Sequence, residues 1–568
     1  MNIKEMQKRL SFWSMEGKKM NNVYNLLYDR TFLEAAANKV LSNAGSITAG
    51  CDGIDRYVFD RDFDYQINKI AEELREGTFE PYPVRRVNIP KTNGKLRPLG
   101  IPSLRDRVVQ EVLRMVLEPI FEPQFSENSF GFRPNRNTIQ AIKYLTHYQS
   151  AQSKYYWAVE GDIQSYFDTV NHRKLSKLVG RRVTDKKVLD LIWKFLRAGV
   201  MEKRLFKNTE SGVPQGGILS PLLANIYLNE LDQFVGHELG ANFTRTQIYY
   251  RQGKGLPTFG YVRYADDFVL VVRGTKQQAQ EAKDTVINFL TEKLKLTVAP
   301  EKTKLTHIAE GYEFLGYELL RRDMGYGTFS TSTYIPMKAS KKALAKLEQM
   351  LDKATYNHSV IDKIRAVNAF TTGWCNYYKY ANNSTVVFNW LSDKTHHLFA
   401  HWLARKQKST IAKLYASNVY KDTNWVYQGF TLKRATTIKR VSMRQVKFKD
   451  ILNPYLDEGL IVREELLVSD KAWGGSSKRR TADLRMTVLQ EQGFECNHCH
   501  KELSFETAEL HHKSPFKRYK NVDSANLREN VEALCKECHL TETRKFRMES
   551  RMQGNLHVRF GGEGEPNG

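Results

Sequence analysis

The chain has 568 residues, 41% of them hydrophobic and 26% charged, a composition that supports several cores and excludes a disordered protein. Lys and Arg number 87 against 63 Asp and Glu, a formal charge of +24 that points to a polyanionic partner, nucleic acid first. No run of about 18 apolar residues exists and Met1 to Met20 lacks a signal-peptide core, so membrane readings are set aside and a soluble, cytoplasmic protein is expected, in a bacterium with an organelle as the alternative.

In chain order, residues 1–85 read as helices and loops. Val87–Lys91 and Leu96–Gly100 read as two short strands about an Asn93-Gly94 turn. Lys91 and Arg97 project from that hairpin, either to grip a triphosphate or as a solvated basic edge. Apolar positions from Val108 to Leu117 recur at helical spacing within Asp106–Phe121. Asn128–Pro134 is a Gly/Pro-punctuated loop whose Phe130, Phe132 and Arg133 either touch a nucleic-acid backbone or pack.

Tyr155–Val159 is β-branched and aromatic, a strand that delivers Glu160, Gly161 and Asp162 at its end, with Phe167 five residues on. Ser211–Pro221 is a Gly-rich loop entering a helical run from Leu222 to Leu231; its Gln215 is placed to touch a nucleotide or template base, or belongs to a plain loop-to-helix turn. Tyr264-Ala265-Asp266-Asp267 then lies between two apolar runs and predicts a strand, a tight turn and a strand. Adjacent carboxylates at such a tip repel unless a cation compensates them, and Mg²⁺ suits a few carboxylate oxygens plus phosphates; an exposed Asp-Asp turn is the alternative. Asp162 is either a helix-cap or turn residue or a third carboxylate, which would suffice for two Mg²⁺ ions that activate a 3′-hydroxyl and steady a leaving pyrophosphate. Thr297–Lys304 and Tyr312–Tyr317 read as a loop and strands closing the same sheet.

This ordered set (the basic hairpin, Asp162 with Phe167, the Gly212–Pro221 loop, Tyr-Ala-Asp-Asp and Phe314-Leu315-Gly316) resembles the reverse transcriptases encoded by group II introns. The resemblance implies a multidomain α+β protein with right-hand polymerase architecture: fingers and palm carrying an antiparallel sheet, then a helical thumb. It implies that Asp162, Asp266 and Asp267 bind the catalytic Mg²⁺, and that Phe167 gates against a 2′-hydroxyl. Lys91, Arg97, Ile163 and Gln215 would contact the incoming dNTP. Residues 336–425, helical with basic and aromatic positions such as Trp374 and Trp402, would be the thumb or maturase domain that grips intron RNA.

Between Thr431 and Lys449 stand Lys433, Arg434, Lys439, Arg440, Arg444, Lys447 and Lys449 with no acid, a pattern suited to phosphate contact with double-stranded target DNA. Gly474–Arg480 reads as a linker. Beyond it, Cys496-x-x-Cys499 and Cys535-x-x-Cys538 have the spacing of a four-thiolate structural Zn²⁺ site, which would help fold a module too small for a strong core. Together with Glu509–Pro515, Asn530 and His539, it resembles the HNH nuclease ββα-metal fold. That likeness makes His512 the general base, His511 and His539 ligands of one divalent ion, and Asn530 the residue that fixes the hairpin or assists the metal.

The expected organisation is 1–85 as N-terminal extension and start of the fingers, 86–335 fingers and palm, 336–425 thumb, 426–480 basic DNA-binding segment and linker, 481–552 nuclease, and 553–568 tail. The expected function is target-primed reverse transcription, maturase activity and second-strand cleavage during intron mobility. The alternatives are a stand-alone defence or diversity-generating reverse transcriptase and a non-catalytic splicing cofactor.

Overall fold

The computed structural model of the chain describes residues 2–90, 96–149, 154–164, 166–202, 205–207, 212, 216–299, 303–323, 329–442, 453–456, 488–489, 491–504, 507–513, 530–539 and 541–542; the side chains of 90, 96–98, 202, 205–207, 323, 329–330 and 512 lie outside that description. Two compact units divide the chain, Met1–Ser469 and Asp470–Gly568.

The described strands, in chain order, are β1 Val84–Pro90, β2 Leu96–Ile101, β3 Trp157–Asp162, β4 Val200–Glu202, β5 Leu205–Lys207, β6 Thr258–Tyr264, β7 Asp267–Arg273, β8 Lys304–His307, β9 Tyr312–Phe314, β10 Tyr317–Asp323, β11 Phe329–Tyr334, β12 Tyr420–Lys421, β13 Asn424–Tyr427, β14 Phe430–Thr431, β15 Glu509–His512 and β16 Val531–Leu534. They form a mixed sheet β2-β1-β4-β5, an antiparallel sheet β6-β7-β3-β8, two three-stranded sheets β11-β10-β9 and β12-β13-β14, and a two-stranded ribbon β15-β16.

The helix Leu104–Phe121 is the spine of the first unit. Val108, Val109, Val112, Leu113, Val116, Leu117 and Ile120 are fully buried, and helices Ile3–Met15 and Arg30–Ser42 pack on it. Its polar positions are tolerated in that setting because they pair: Arg105 with Glu73, Arg114 with Glu111 and Glu118, and Lys39 with Glu111. The helix starts two residues before the sequence-based expectation because the Ser103 hydroxyl caps it, accepting from the Asp106 N–H at 3.2 Å.

The hairpin β1–β2 forms as expected, with Ile89 opposite Arg97, but Lys91 and the turn after it lie outside the described residues. The sheet β6-β7-β3-β8 is closed by β8 alone at one edge: β9 pairs with β10 in a separate sheet, so Tyr312–Tyr317 does not extend the first sheet as expected. The 336–425 region contains helices Met337–Met350, Val360–Tyr378, Ser384–Lys406 and Ile411–Tyr415. It then turns to the strands β12–β14, whose Trp425 is buried in the core of those helices.

In the second unit β15 and β16 pair antiparallel over a small core that includes Val488, Leu489, Leu503, Val531 and Leu534. Among the described residues no helix is long and apolar enough to cross a membrane.

Candidate functional site

Register decides what the sheet presents. In the antiparallel pair β3–β7 Asp162 stands directly opposite Asp267, and in β6–β7 Tyr264 stands opposite Asp267, leaving Ala265 and Asp266 at the turn. Two strand-end carboxylates and a third at the adjoining turn therefore gather at one end of the sheet. Hard carboxylate oxygens of this kind fit Mg²⁺. Gly161 is required beside them, because a Cβ there would lie 2.0 Å from the Phe268 ring that covers it from β7.

The turn is held from behind. Ala265 adopts a left-handed φ of 57°, and its carbonyl accepts from Arg263 Nη1 at 2.8 Å. All five Arg263 donors are used: Nε and Nη2 bind the two oxygens of Asp232 at 2.7 and 2.6 Å, Nη2 also reaches Ser129 Oγ, and Nη1 also reaches Asn225 Oδ1. Asn225 and Asp232 come from the helix Ser220–Gln233, which explains how the Gly-rich segment before it is tied to the carboxylates. The Asn128–Pro134 loop runs alongside β6, with the Phe130 N–H on Arg263 O and the Arg263 N–H on Asn128 O, both at 2.9 Å. Arg133 is buried against Glu122, so of its two sequence readings the structure shows packing.

A cleft of about 480 Å³ opens on the carboxylate face, lined by Glu160, Asp162, Asp267, Lys304, Glu313 and Lys338 among others. Glu160 is a residue that sequence reasoning left without a role. Standing two positions before Asp162 on the same strand it shares its face, and that period of two was the available signal. Burial pushes the Glu160 carboxyl up, while the Thr306 hydroxyl, donating at 3.0 Å, and Lys304 oppose the shift.

Ile163 is buried, and Phe167 is half-buried on the short helix Tyr166–Thr169, its ring 5.5 Å from that of Tyr166. Tyr166 is fixed by its hydroxyl, which donates to Ala224 O at 2.7 Å. Gly212, with a φ of 96°, donates its N–H to Val170 O at 2.9 Å, and a Cβ there would lie 2.8 Å from Phe167 O, so the Gly-rich loop touches the Phe167 segment. Gln215 and the Arg97 side chain lie outside the described residues, as Lys91 does.

Of the basic segment, Lys433, Lys439 and Arg440 are exposed, while Arg434 is half-buried and donates to Asn424 Oδ1 at 3.2 Å; Arg444, Lys447 and Lys449 lie outside the described residues.

In the second unit the four cysteine sulfurs all lie within 4.8 Å of one another, and the Cys499–Cys535 separation is 3.7 Å. A tetrahedron of thiolates at about 2.3 Å from a central ion has edges of about 3.8 Å, so these residues fit a Zn²⁺ ion. The Cys535 N–H donates to Cys496 Sγ at 3.3 Å. Beside this cluster β15 and the segment after β16 bring His511 and His539 together, ring centroids 5.5 Å apart, and Asn530 O accepts from the Lys513 N–H at 2.8 Å. Burial, then the neighbouring His539, holds the His511 imidazole below its ordinary pKa. His512 is in β15 opposite Val531, with its side chain outside the described residues. Glu532, opposite His511 in the register, and Glu542 were not singled out from sequence; they approach His498, which had no assigned role, at 3.4 and 3.6 Å.

Residues 89–319 match the family of reverse transcriptases (RNA-dependent DNA polymerases), 340–419 the group II intron maturase-specific domain, and 496–545 the HNH endonucleases. The chain is 38% identical to Protein YkfC of Escherichia coli over 377 residues, 63% of this chain and 99% of that one. It is 32% identical over 474 residues to the group II intron-encoded protein LtrA of Lactococcus lactis subsp. cremoris, covering 71% of this chain and 75% of that protein. A plant relative, Nuclear intron maturase 2, mitochondrial, of Arabidopsis thaliana, is 29% identical over 287 residues, 38% of each chain. The maturase and polymerase matches imply binding of intron RNA and nucleic-acid substrates. The order of the three matches along one polypeptide, and the length shared with LtrA, place the chain in the family of group II intron-encoded proteins, with reverse transcriptase, maturase and HNH endonuclease domains.

Proposed function

We propose that Asp162, Asp266 and Asp267 are the metal-binding carboxylates of a right-hand polymerase that performs target-primed reverse transcription. The register that sets Asp162 opposite Asp267, with Asp266 at the adjoining turn, carries this reading. Bound Mg²⁺ would supply charge neutralisation for phosphoryl transfer from a dNTP to a 3′-hydroxyl. The chain's own part is positional: Arg263 holds the turn, the β3–β7 ladder holds the facing carboxylates, and Phe167 limits space at the sugar. Lys91, Arg97, Ile163 and Gln215 complete the nucleotide site in this reading. The helices between 336 and 415 grip the parent intron RNA and promote its splicing, and the basic residues from Lys433 to Lys449 hold target double-stranded DNA.

The second unit would act as a ββα-metal nuclease in which His512 takes the proton of the attacking water, and His511 and His539 would hold a divalent ion that supplies charge neutralisation for phosphodiester cleavage. Asn530 braces the hairpin, and Cys496, Cys499, Cys535 and Cys538 would hold a Zn²⁺ ion that helps fold the module. Cleavage of the second DNA strand would expose the 3′-hydroxyl that the palm extends. The test uses the reconstituted ribonucleoprotein with Mg²⁺, dNTPs and target DNA. Asp266→Asn should abolish cDNA synthesis while splicing and nicking persist, and His512→Ala should abolish nicking while extension of a pre-nicked target persists. Synthesis by Asp266→Asn at the wild-type rate would refute the polymerase assignment.

A further inference from the structure

Phe132 sits in a conformation that its chemistry disfavours, in a place where more than half of it stays in solvent. Its φ is 56°, in the left-handed region that bulky L residues rarely occupy, and 56% of the residue is exposed. Strain of this kind persists only where the surroundings over-determine the backbone, and it gathers at functional sites. The flanks of Phe132 are over-determined in that sense. Gly131 O accepts from Asn225 Nδ2 at 2.9 Å, the Phe130 N–H is bound to Arg263 O at 2.9 Å, and the Arg133 guanidinium is buried on Glu122, Ser126 O and Ser129 O.

The same locking fixes the backbone that carries the ring. A Cβ on Gly131 would lie 2.4 Å from the Ala265 N–H nitrogen and 3.0 Å from the Tyr264 carbonyl carbon, so only glycine lets this loop lie against the Tyr-Ala-Asp-Asp turn. The next Cα along the chain, that of Phe132, is 3.8 Å further on. An exposed aromatic is thus pinned one residue from the catalytic turn by a hydrogen-bonded loop whose other aromatic, Phe130, is buried.

We propose that Phe132 is a positioning residue of the polymerase centre that makes aromatic contact with the template–primer duplex at its growing end. The inference rests on the reading of Asp162, Asp266 and Asp267 as the polymerase carboxylates. The sugar edges that a duplex exposes are alike for every sequence, so an aromatic packed on them grips duplexes of any sequence, as a copying enzyme requires. A loop backbone already held in place also avoids the entropy of ordering that backbone on binding.

The experiment compares Phe132→Gly and Phe132→Trp in the full-length protein, using an RNA template annealed to a DNA primer. Glycine accepts the positive φ without strain, so Phe132→Gly should keep or raise the thermal midpoint. It should weaken duplex binding about tenfold, the scale of one lost aromatic contact, with the KM for dNTP within about twofold of wild type. Phe132→Trp should bind the duplex within about twofold of wild type. Wild-type duplex affinity in Phe132→Gly, or a lowered thermal midpoint, would overturn the proposal in favour of a packing role. Asp266→Asn serves as the separate control: it should bind the duplex normally and not extend it, and extension by that variant would sink the carboxylate reading without touching the binding result for Phe132.

Discussion

Arg263 and Asp232 meet as opposite charges that are both fully sealed from solvent, joined by two hydrogen bonds at 2.7 and 2.6 Å, with the Tyr261 hydroxyl donating to the same carboxylate at 3.0 Å. A buried pair of this kind offsets its desolvation only while both partners and their hydrogen bonds are present. Its consequence here is geometric, since the same guanidinium holds Ala265 O at the tip of the β6–β7 hairpin.

Arg263→Met should therefore destabilise the polymerase unit by about 3–5 kcal/mol, the cost of leaving a buried carboxylate unpaired. The double variant Arg263→Met with Asp232→Leu should recover much of that loss in thermal or denaturant unfolding. It should not recover kcat for primer extension, because the Ala265 carbonyl still lacks its donor. Full recovery of kcat in the double variant would show that the pair stabilises without positioning.

Asp106 gives a pH dependence. Only 1% of the residue is exposed, and burial raises its carboxyl to about 7, against opposing hydrogen bonds from Ser103 and the Tyr82 N–H and the nearby Arg105 charge. Its Oδ1 has no hydrogen-bond partner among the described residues. The folded state thus holds a proton between about pH 4 and pH 7 that the unfolded chain releases, so the group's contribution is favourable at the low end and is lost as pH rises through 7. The three-unit difference corresponds to at most about 4 kcal/mol. Asp106→Asn should flatten the fall in unfolding temperature between pH 5 and 8 and raise stability at pH 8; an unchanged pH profile would contradict the assignment.

Metal removal should act on one unit. With four sulfurs at tetrahedral separations, chelation of Zn²⁺ or Cys499→Ser should collapse the β15–β16 module and abolish second-strand nicking. Primer extension should persist within about twofold, because the carboxylate site is built entirely within Met1–Ser469. Zinc content by metal analysis, read beside both activities, checks this: loss of nicking with the metal retained would point to the histidines instead.

Phe167 should govern sugar choice. Phe167→Ala should raise incorporation of ribonucleotides relative to deoxyribonucleotides by at least about tenfold, with little change for deoxyribonucleotides, since the lost ring contact is steric. The ratio of kcat/KM for ATP and dATP on one template measures it.

Local patterns were enough for a large part of this protein. Alternating and helical periodicity located the β6–β7 hairpin, the strand ending at Asp162, the helix around Val108–Leu117 and the helices from Met337 to Tyr415, and the Cys-x-x-Cys spacing located a cysteine cluster that could hold a metal ion. Those features are set by residues near one another in sequence, so the sequence by itself determined them. Tertiary structure alone decided the rest, because register and burial depend on partners far along the chain. It set Asp162 against Asp267, sent β9 to a different sheet, and turned Arg133 from a candidate phosphate contact into a buried partner of Glu122. It also drew Ser129, Asn225, Asp232 and Arg263 into one network behind the Tyr264–Asp267 turn, a convergence that no local spacing encodes. The same packing left Phe132 strained and exposed beside that turn.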